Sequence, residues 1–244
     1  MFQTDILFGL PIYKTKIDPD TYDKEKLLSI MSTYTLFGLP IYKTKIDPGS
    51  YDKKKLLSTI KKNYSLGPRN NFDQYNSNVH MSFADEGNSK FKSMDYTKLK
   101  KVYDNVFNNF VKSLNFNYKG TIKLAYNILN YTVSNKDDYM NYHNHLPSED
   151  FACVHYLQLG KDQVGTKFKN THSFGNYFQF IRSKLYNAMN NTDKLNSYVY
   201  EDFTLDVEED DIIIFPSVAE HGIKKLDKLS NKLRITIATN LRLS

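Results

Sequence analysis

The chain has a single cysteine, Cys153, among its 244 residues. One thiol excludes an internal disulfide framework and a cysteine-based zinc site. It fits a reducing compartment, and a cytoplasmic location is expected. Long apolar runs are also missing. IIIFP at 212–216 is typical, far short of the roughly 20 residues that a membrane-spanning helix needs. Neither a membrane span nor a membrane partner is expected. The opening MFQTDILFGLP has no basic start followed by an apolar stretch, so no signal peptide is expected. Arginine is scarce: of 33 basic residues, only Arg69, Arg182, Arg234 and Arg242 are arginine. The net charge of +6 therefore rests on lysines scattered among asparagines and tyrosines. That reads as a solvated surface encoded by an AT-rich genome. A nucleic-acid face would need basic residues clustered with interleaved aromatics, so no such partner is expected.

What is present is enough for a core. Hydrophobic residues make up 40% and charged residues 25%, the balance of a globular domain. A repeat stands out. LFGLPIYKTKIDP occurs at 7–19 and again, letter for letter, at 36–48. The likeness continues as DTYDKEKLLS (20–29) against GSYDKKKLLS (49–58). A solenoid needs about three repeats or more, so two copies read as a tandem duplication. Each unit reads as a strand (LPIYKTKI), an Asp-Pro turn and a short helix. A fold that uses one such unit has no obvious place for two. The expected division is 1–35 as an appendage, loosely docked or swapped onto a neighbour in a homodimer. Residues 36–118 then hold the second copy, a loop and a supporting helix, and 119–244 the core, with 36–244 forming one domain.

The polar, turn-rich stretch 64–95 reads as a surface loop. KLKKVYDNVFNNFVK (98–112) reads as an amphipathic helix with Leu99, Val102, Val106, Phe107 and Phe110 on one side. Beyond residue 120 the texture becomes strand-like at 121–134, 151–159, 176–182, 199–207, 211–217 and 232–243, rich in β-branched and aromatic residues. A segment at 183–195 reads as a short helix or an inserted loop. Six short strands with little helix between them predict a mainly β sandwich or barrel.

Six histidines are present. Two sit in NYHNHLPSED: on a strand, positions i and i+2 share a face, so His143 and His145 can address one point. His221 follows a buried strand in IIIFPSVAEHGI, and Arg234 and Thr236 share a face of the last strand, LRITIATN. Each alone is more often a core or surface residue, but the ordered set is specific.

That set resembles the Fe(II)/2-oxoglutarate-dependent dioxygenases, and within them the prolyl-hydroxylase-like group found in bacteria and marine phages. Their pattern is His-x-Asp/Glu, a distant His, then Arg-x-Ser/Thr, on a double-stranded β-helix. FACVHYLQL, DDIIIFPSVAEHGI and LRITIATN carry the likeness over about 120–241. The resemblance implies a jelly-roll core with an N-terminal strand and supporting helices. It implies Fe(II) as cofactor and 2-oxoglutarate and dioxygen as co-substrates, acting on a substrate that stays unidentified. His143 and His221 would hold iron. Arg234 would grip the far carboxylate of 2-oxoglutarate through its forked guanidinium, helped by Thr236, Tyr131 and Asn127; Asn240 is a further pocket candidate. A viral member would work in the host cytoplasm.

The sequence departs from the pattern at 145, where the family has a carboxylate and this chain has histidine. Three readings are open, and the first, with His143, His145 and His221 as the metal ligands, is the one expected here. His145 is a third ligand; or it is no ligand and only two protein ligands remain; or Glu149 or Asp150 supplies the carboxylate. His155 reads as an ordinary core or surface histidine, Cys153 as a small buried residue, and His80 as part of a loop able to fold over the site. The rival functions are a jelly-roll binding module, a retired oxygenase with a structural metal, and a cupin-like enzyme that uses three histidines without 2-oxoglutarate.

Overall fold

The computed structural model describes residues 3–7, 10–14, 32–36, 39–67, 77–114, 122–169, 202–225 and 232–244. The proposed strand at 176–182, the segment 183–195 and His172 lie outside them. Thirteen strands and two α-helices are described. The strands are β1 (Gln3–Leu7), β2 (Leu10–Lys14), β3 (Ser32–Leu36), β4 (Leu39–Lys45), β5 (His80–Met81), β6 (Leu124–Ser134), β7 (Met140–His143), β8 (Phe151–Gln158), β9 (Lys167–Lys169), β10 (Asp202–Thr204), β11 (Asp211–Pro216), β12 (His221–Ile223) and β13 (Arg234–Leu243). The helices are α1 (Lys53–Leu66) and α2 (Thr97–Ser113).

A seven-stranded sheet runs β3-β4-β11-β8-β13-β6-β5 and a four-stranded sheet runs β10-β9-β12-β7. All pairings are antiparallel. The two sheets close over a shared core of Ile41, Ala152, Tyr156, Phe168, Ile213 and Phe215. This is a mainly β jelly roll of the double-stranded β-helix kind.

The helices cover the other face of the large sheet. Leu56 and Ile60 of α1 and Leu99, Tyr103, Phe107 and Phe110 of α2 meet Cys153, Leu157, Ile212, Ile214, Ile235 and Ile237. The apolar stripe of α2 is the reason it docks. Leu99, Phe107 and Phe110 are buried, and Val102 and Val106 flank them. Covering on both faces explains the continuous apolar runs of β8 and β11. Ile212 and Ile214 face the helices, while Ile213 and Phe215 face the second sheet. Each such side chain stabilises the fold by about 1.5–3 kcal/mol through burial.

A strand that the sequence reading did not include stands ahead of each LPIYKTKI, β1 before the first copy and β3 before the second. Leu7 lies opposite Leu10 at the first copy and Leu36 opposite Leu39 at the second. The copies are placed differently. β4 pairs with β11, from Asp211 opposite Lys45 to Ile214 opposite Tyr42, whereas β1 and β2 pair with each other as a separate two-stranded sheet. Behind β4, Lys53 bridges Glu209 at 2.9 Å and Asp210 at 2.5 Å, and Glu209 also pairs with Lys232. α1 runs to Leu66, past the end of the repeated stretch at Ser58, and the polar loop after it contains β5 and a 3-10 turn at Ser82–Asp85. Among the described residues no helix is long and apolar enough to cross a membrane.

Candidate metal centre and anion pocket

Three imidazoles meet at one end of a cavity of about 630 Å³. His143 ends β7 and His221 begins β12, and the two are opposite each other in the ladder. His145 lies two residues past the end of β7, so a loop and not strand alternation carries it. The His145 amide donates to the Ser217 carbonyl at 3.0 Å, which ties that loop to the Phe-Pro-Ser turn before His221. One ring nitrogen from each histidine lies within 4.8 Å of the other two.

The hydrogen bonds set the tautomers. His143 Nδ1 faces the Asn141 carbonyl at 3.2 Å, His221 Nδ1 the Ala219 carbonyl at 2.9 Å, and His145 Nδ1 the Asn240 Oδ1 at 2.7 Å. These oxygens only accept, so each Nδ1 carries the proton and each Nε2 presents a lone pair. Histidines that ligate metals are held this way. Burial lowers the pKa of all three, furthest for His221, whose two neighbouring histidines add to the effect. They stay neutral at pH 7, the form that binds a metal. Such a ligand set suits a divalent transition metal, and the donor chemistry fits iron.

The carboxylates after His145 are engaged elsewhere. Glu149 Oε1 lies 3.4 Å from Arg242 Nη2, and Asp150 Oδ2 accepts the Leu243 amide at 2.7 Å. Among the described residues the group of ligand atoms comprises the three histidines and no carboxylate.

Arg234 and Thr236 line the same cavity from β13. Arg234 is 3% exposed, and its Nε and Nη1 have no hydrogen-bond partner among the described residues. Its guanidinium carbon stands 5.3 Å from the centre of the Tyr156 ring. Burial lowers the guanidinium pKa and Tyr156 opposes that. A buried cation with unpaired donors costs several kcal/mol; an anion able to take both donors offsets that cost. Thr236 shares a 2.6 Å hydrogen bond with Thr132, its cross-strand partner. The Tyr156 hydroxyl lies 2.7 Å from Thr166 Oγ1 and accepts the Thr166 amide at 2.9 Å.

Asn127 and Tyr131 separate. They are four residues apart, so an unbroken strand would give them one face. β6 carries one extra residue between the partners of Ala238 and Thr239, a bulge that inverts the alternation. Asn127 lines the cavity. Tyr131 turns to the helices and packs with Ile235 and Ile237, which takes it away from the anion pocket. The tyrosine beside Arg234 is Tyr156 instead. Its signal in FACVHYLQL was position alone: it alternates with His155 and so faces the opposite side. His155 is fully buried among the helices. It shares a 3.0 Å hydrogen bond with the Tyr103 hydroxyl, and burial pushes its pKa down to about 3. His80 is buried in β5 opposite Val133, and its neighbour Met81 lines the cavity.

No family model matches the chain, and no curated protein matches it. Several solved structures are similar. A prolyl-4-hydroxylase of Pseudomonas putida is 8% identical with a TM-score of 0.47, over 83% of this chain and 91% of that one. A Trichoplax adhaerens prolyl hydroxylase, solved with a peptide fragment of a hypoxia inducible factor oxygen degradation domain, is 13% identical with a TM-score of 0.46, over 83% of each chain. A viral collagen prolyl hydroxylase of Paramecium bursaria Chlorella virus-1 is 12% identical with a TM-score of 0.41, over 82% of this chain and 94% of that one.

Proposed function

We propose that the chain is a non-haem Fe(II)- and 2-oxoglutarate-dependent dioxygenase, a hydroxylase acting on a C–H bond of a second substrate. One observation carries this reading. A single cavity holds three neutral imidazoles with their Nε2 lone pairs set by hydrogen bonds, together with a buried arginine whose Nε and Nη1 lack partners among the described residues. The first feature asks for a metal and the second for an anion.

His143, His145 and His221 would hold the iron. Arg234 would take the distal carboxylate of 2-oxoglutarate, its fork matching the two oxygens, with Thr236 and Tyr156 fixing the walls beside it. Asn127 lines the open part of the cavity. The iron, when bound with 2-oxoglutarate, supplies the oxidising chemistry: one atom of dioxygen enters the substrate as hydroxyl and the other enters succinate as CO2 leaves. The chain's own part is to orient the partners and keep water from Arg234. The single thiol, buried Cys153, suits a reducing compartment.

A second reading is a retired oxygenase or binding module with a structural metal. It is favoured by His145, since three neutral ligands leave the charge of a divalent ion uncompensated. Anaerobic titration with Fe(II) and then 2-oxoglutarate separates the two. A weak visible band from the chelated 2-oxo acid, followed in air by succinate formation, is the expected result. His221→Ala should abolish both signals. Iron binding with neither band nor succinate would establish the second reading, and no iron binding would remove the metal from both.

A further inference from the structure

We infer that Asn240 is the positioning residue that makes His145 the third metal ligand: its Oδ1 accepts the Nδ1–H bond and turns Nε2 into the histidine cluster. The inference rests on the metal site proposed above and concerns how this chain completes it.

The three histidines are not oriented alike. His143 and His221 each bond the carbonyl two residues earlier in their own segment, Asn141 and Ala219. Their orientation is a local property of β7 and of the turn before β12. His145 has left the strand, and among the described residues no backbone oxygen takes its Nδ1. It reaches instead to a side chain 95 positions away in sequence, at 2.7 Å, the shortest of the three bonds.

Asn240 is suited to the task. It is 8% exposed and held in the middle of the large sheet, opposite Asn127 on β6 and Ala152 on β8. A ligand on a loop is thus fixed by a residue on a rigid strand. The direction of the amide matters. With Oδ1 toward the ring, Nδ1 is protonated and Nε2 is a ligand. With the amide nitrogen there, Nδ1 would have to accept, and Nε2 would carry a proton into the space between His143 and His221. Asn240 lies six residues beyond Arg234 on the same face of β13, and both line the cavity. One strand therefore carries the anion anchor and the orienter of His145.

Cobalt(II), titrated into the metal-free protein and read by calorimetry and visible absorption, is the test. Asn240→Ala should weaken Co(II) binding by roughly 10- to 100-fold, the usual cost of losing an outer partner of a ligating histidine. Asn240→Asp keeps the acceptor and should bind Co(II) at least as tightly as the original chain. In a His145→Ala background, Asn240→Ala should change Co(II) affinity less than twofold. Equal affinity for the original chain and Asn240→Ala would overturn the inference and leave the metal site standing. So would an unchanged penalty in the His145→Ala background. Loss with both Ala and Asp at 240, at an unaltered melting temperature of the metal-free protein, would also overturn it. If the original chain binds no Co(II), the metal site itself falls and this inference with it.

Discussion

His143 and His221 are direct cross-strand partners in the β7–β12 ladder, with ring centroids 4.4 Å apart. Neither strand is long, and four described strands, β8 to β11, lie between them in sequence. The pair exists because two short strands meet at one register. A one-residue slip there would turn one ring to the opposite face of the sheet.

Gly222 is what lets these strands meet. A Cβ at 222 would stand 2.5 Å from the Met140 carbonyl oxygen and 3.1 Å from that of Asn141, both backbone atoms of β7. Gly222→Ala should therefore push β12 from β7, at about 1–3 kcal/mol, and spread His221 from His143. Thermal melts and Co(II) titrations together check this. An unaltered melt with unaltered metal affinity would show that β7 yields freely.

Arg234→Lys should weaken 2-oxoglutarate binding to the metal-loaded protein by roughly 10- to 100-fold. A point charge cannot reproduce the fork, and one charge-assisted hydrogen bond is worth about 1.5–3 kcal/mol. Isothermal titration is the measurement. Unchanged affinity would take Arg234 out of the anion pocket.

Glu209 links the second repeat copy to the sheet and should make stability depend on pH. Burial raises its pKa, but Lys232, Lys53 and the Leu159 amide outweigh that and hold it at about 2, against an ordinary 4.5. A carboxyl with a lowered folded-state pKa stabilises the fold above its unfolded value, and the contribution fades as pH falls through the folded one. The urea midpoint gap between the original chain and Glu209→Gln should thus be full above about pH 4.5 and close toward about pH 2. A gap that stays constant through that window would mean the loss comes from packing.

Removing the residues before Ser32 should leave the domain standing. β4 fills the place beside β11, and among the described strands β1 and β2 pair with each other alone. The truncated chain should melt within about 2 °C of the full one, as for changes away from the core. A larger drop would assign the first copy a place in the fold.

Much of the molecule was determined by local pattern. The stripe on α2, the β-branched strands beyond residue 120 and the order of His143, His221, Arg234 and Thr236 are properties of neighbouring residues, and they pointed to a mainly β core with a metal and an anion in it. Tertiary structure decided the rest. Tyr131 left the pocket because a bulge in β6 changed which face it joined, and a bulge depends on two strands that the sequence does not show side by side. Tyr156 entered beside Arg234 because β8 and β13 are neighbours in the large sheet, with Tyr156 on the face opposite His155. The state of His145 turned on Asn240, brought to it from the other end of the core. A single chain segment carries residue types and their spacing. Convergence on one point depends on register and on which sheet lies opposite, and only the packed fold sets those.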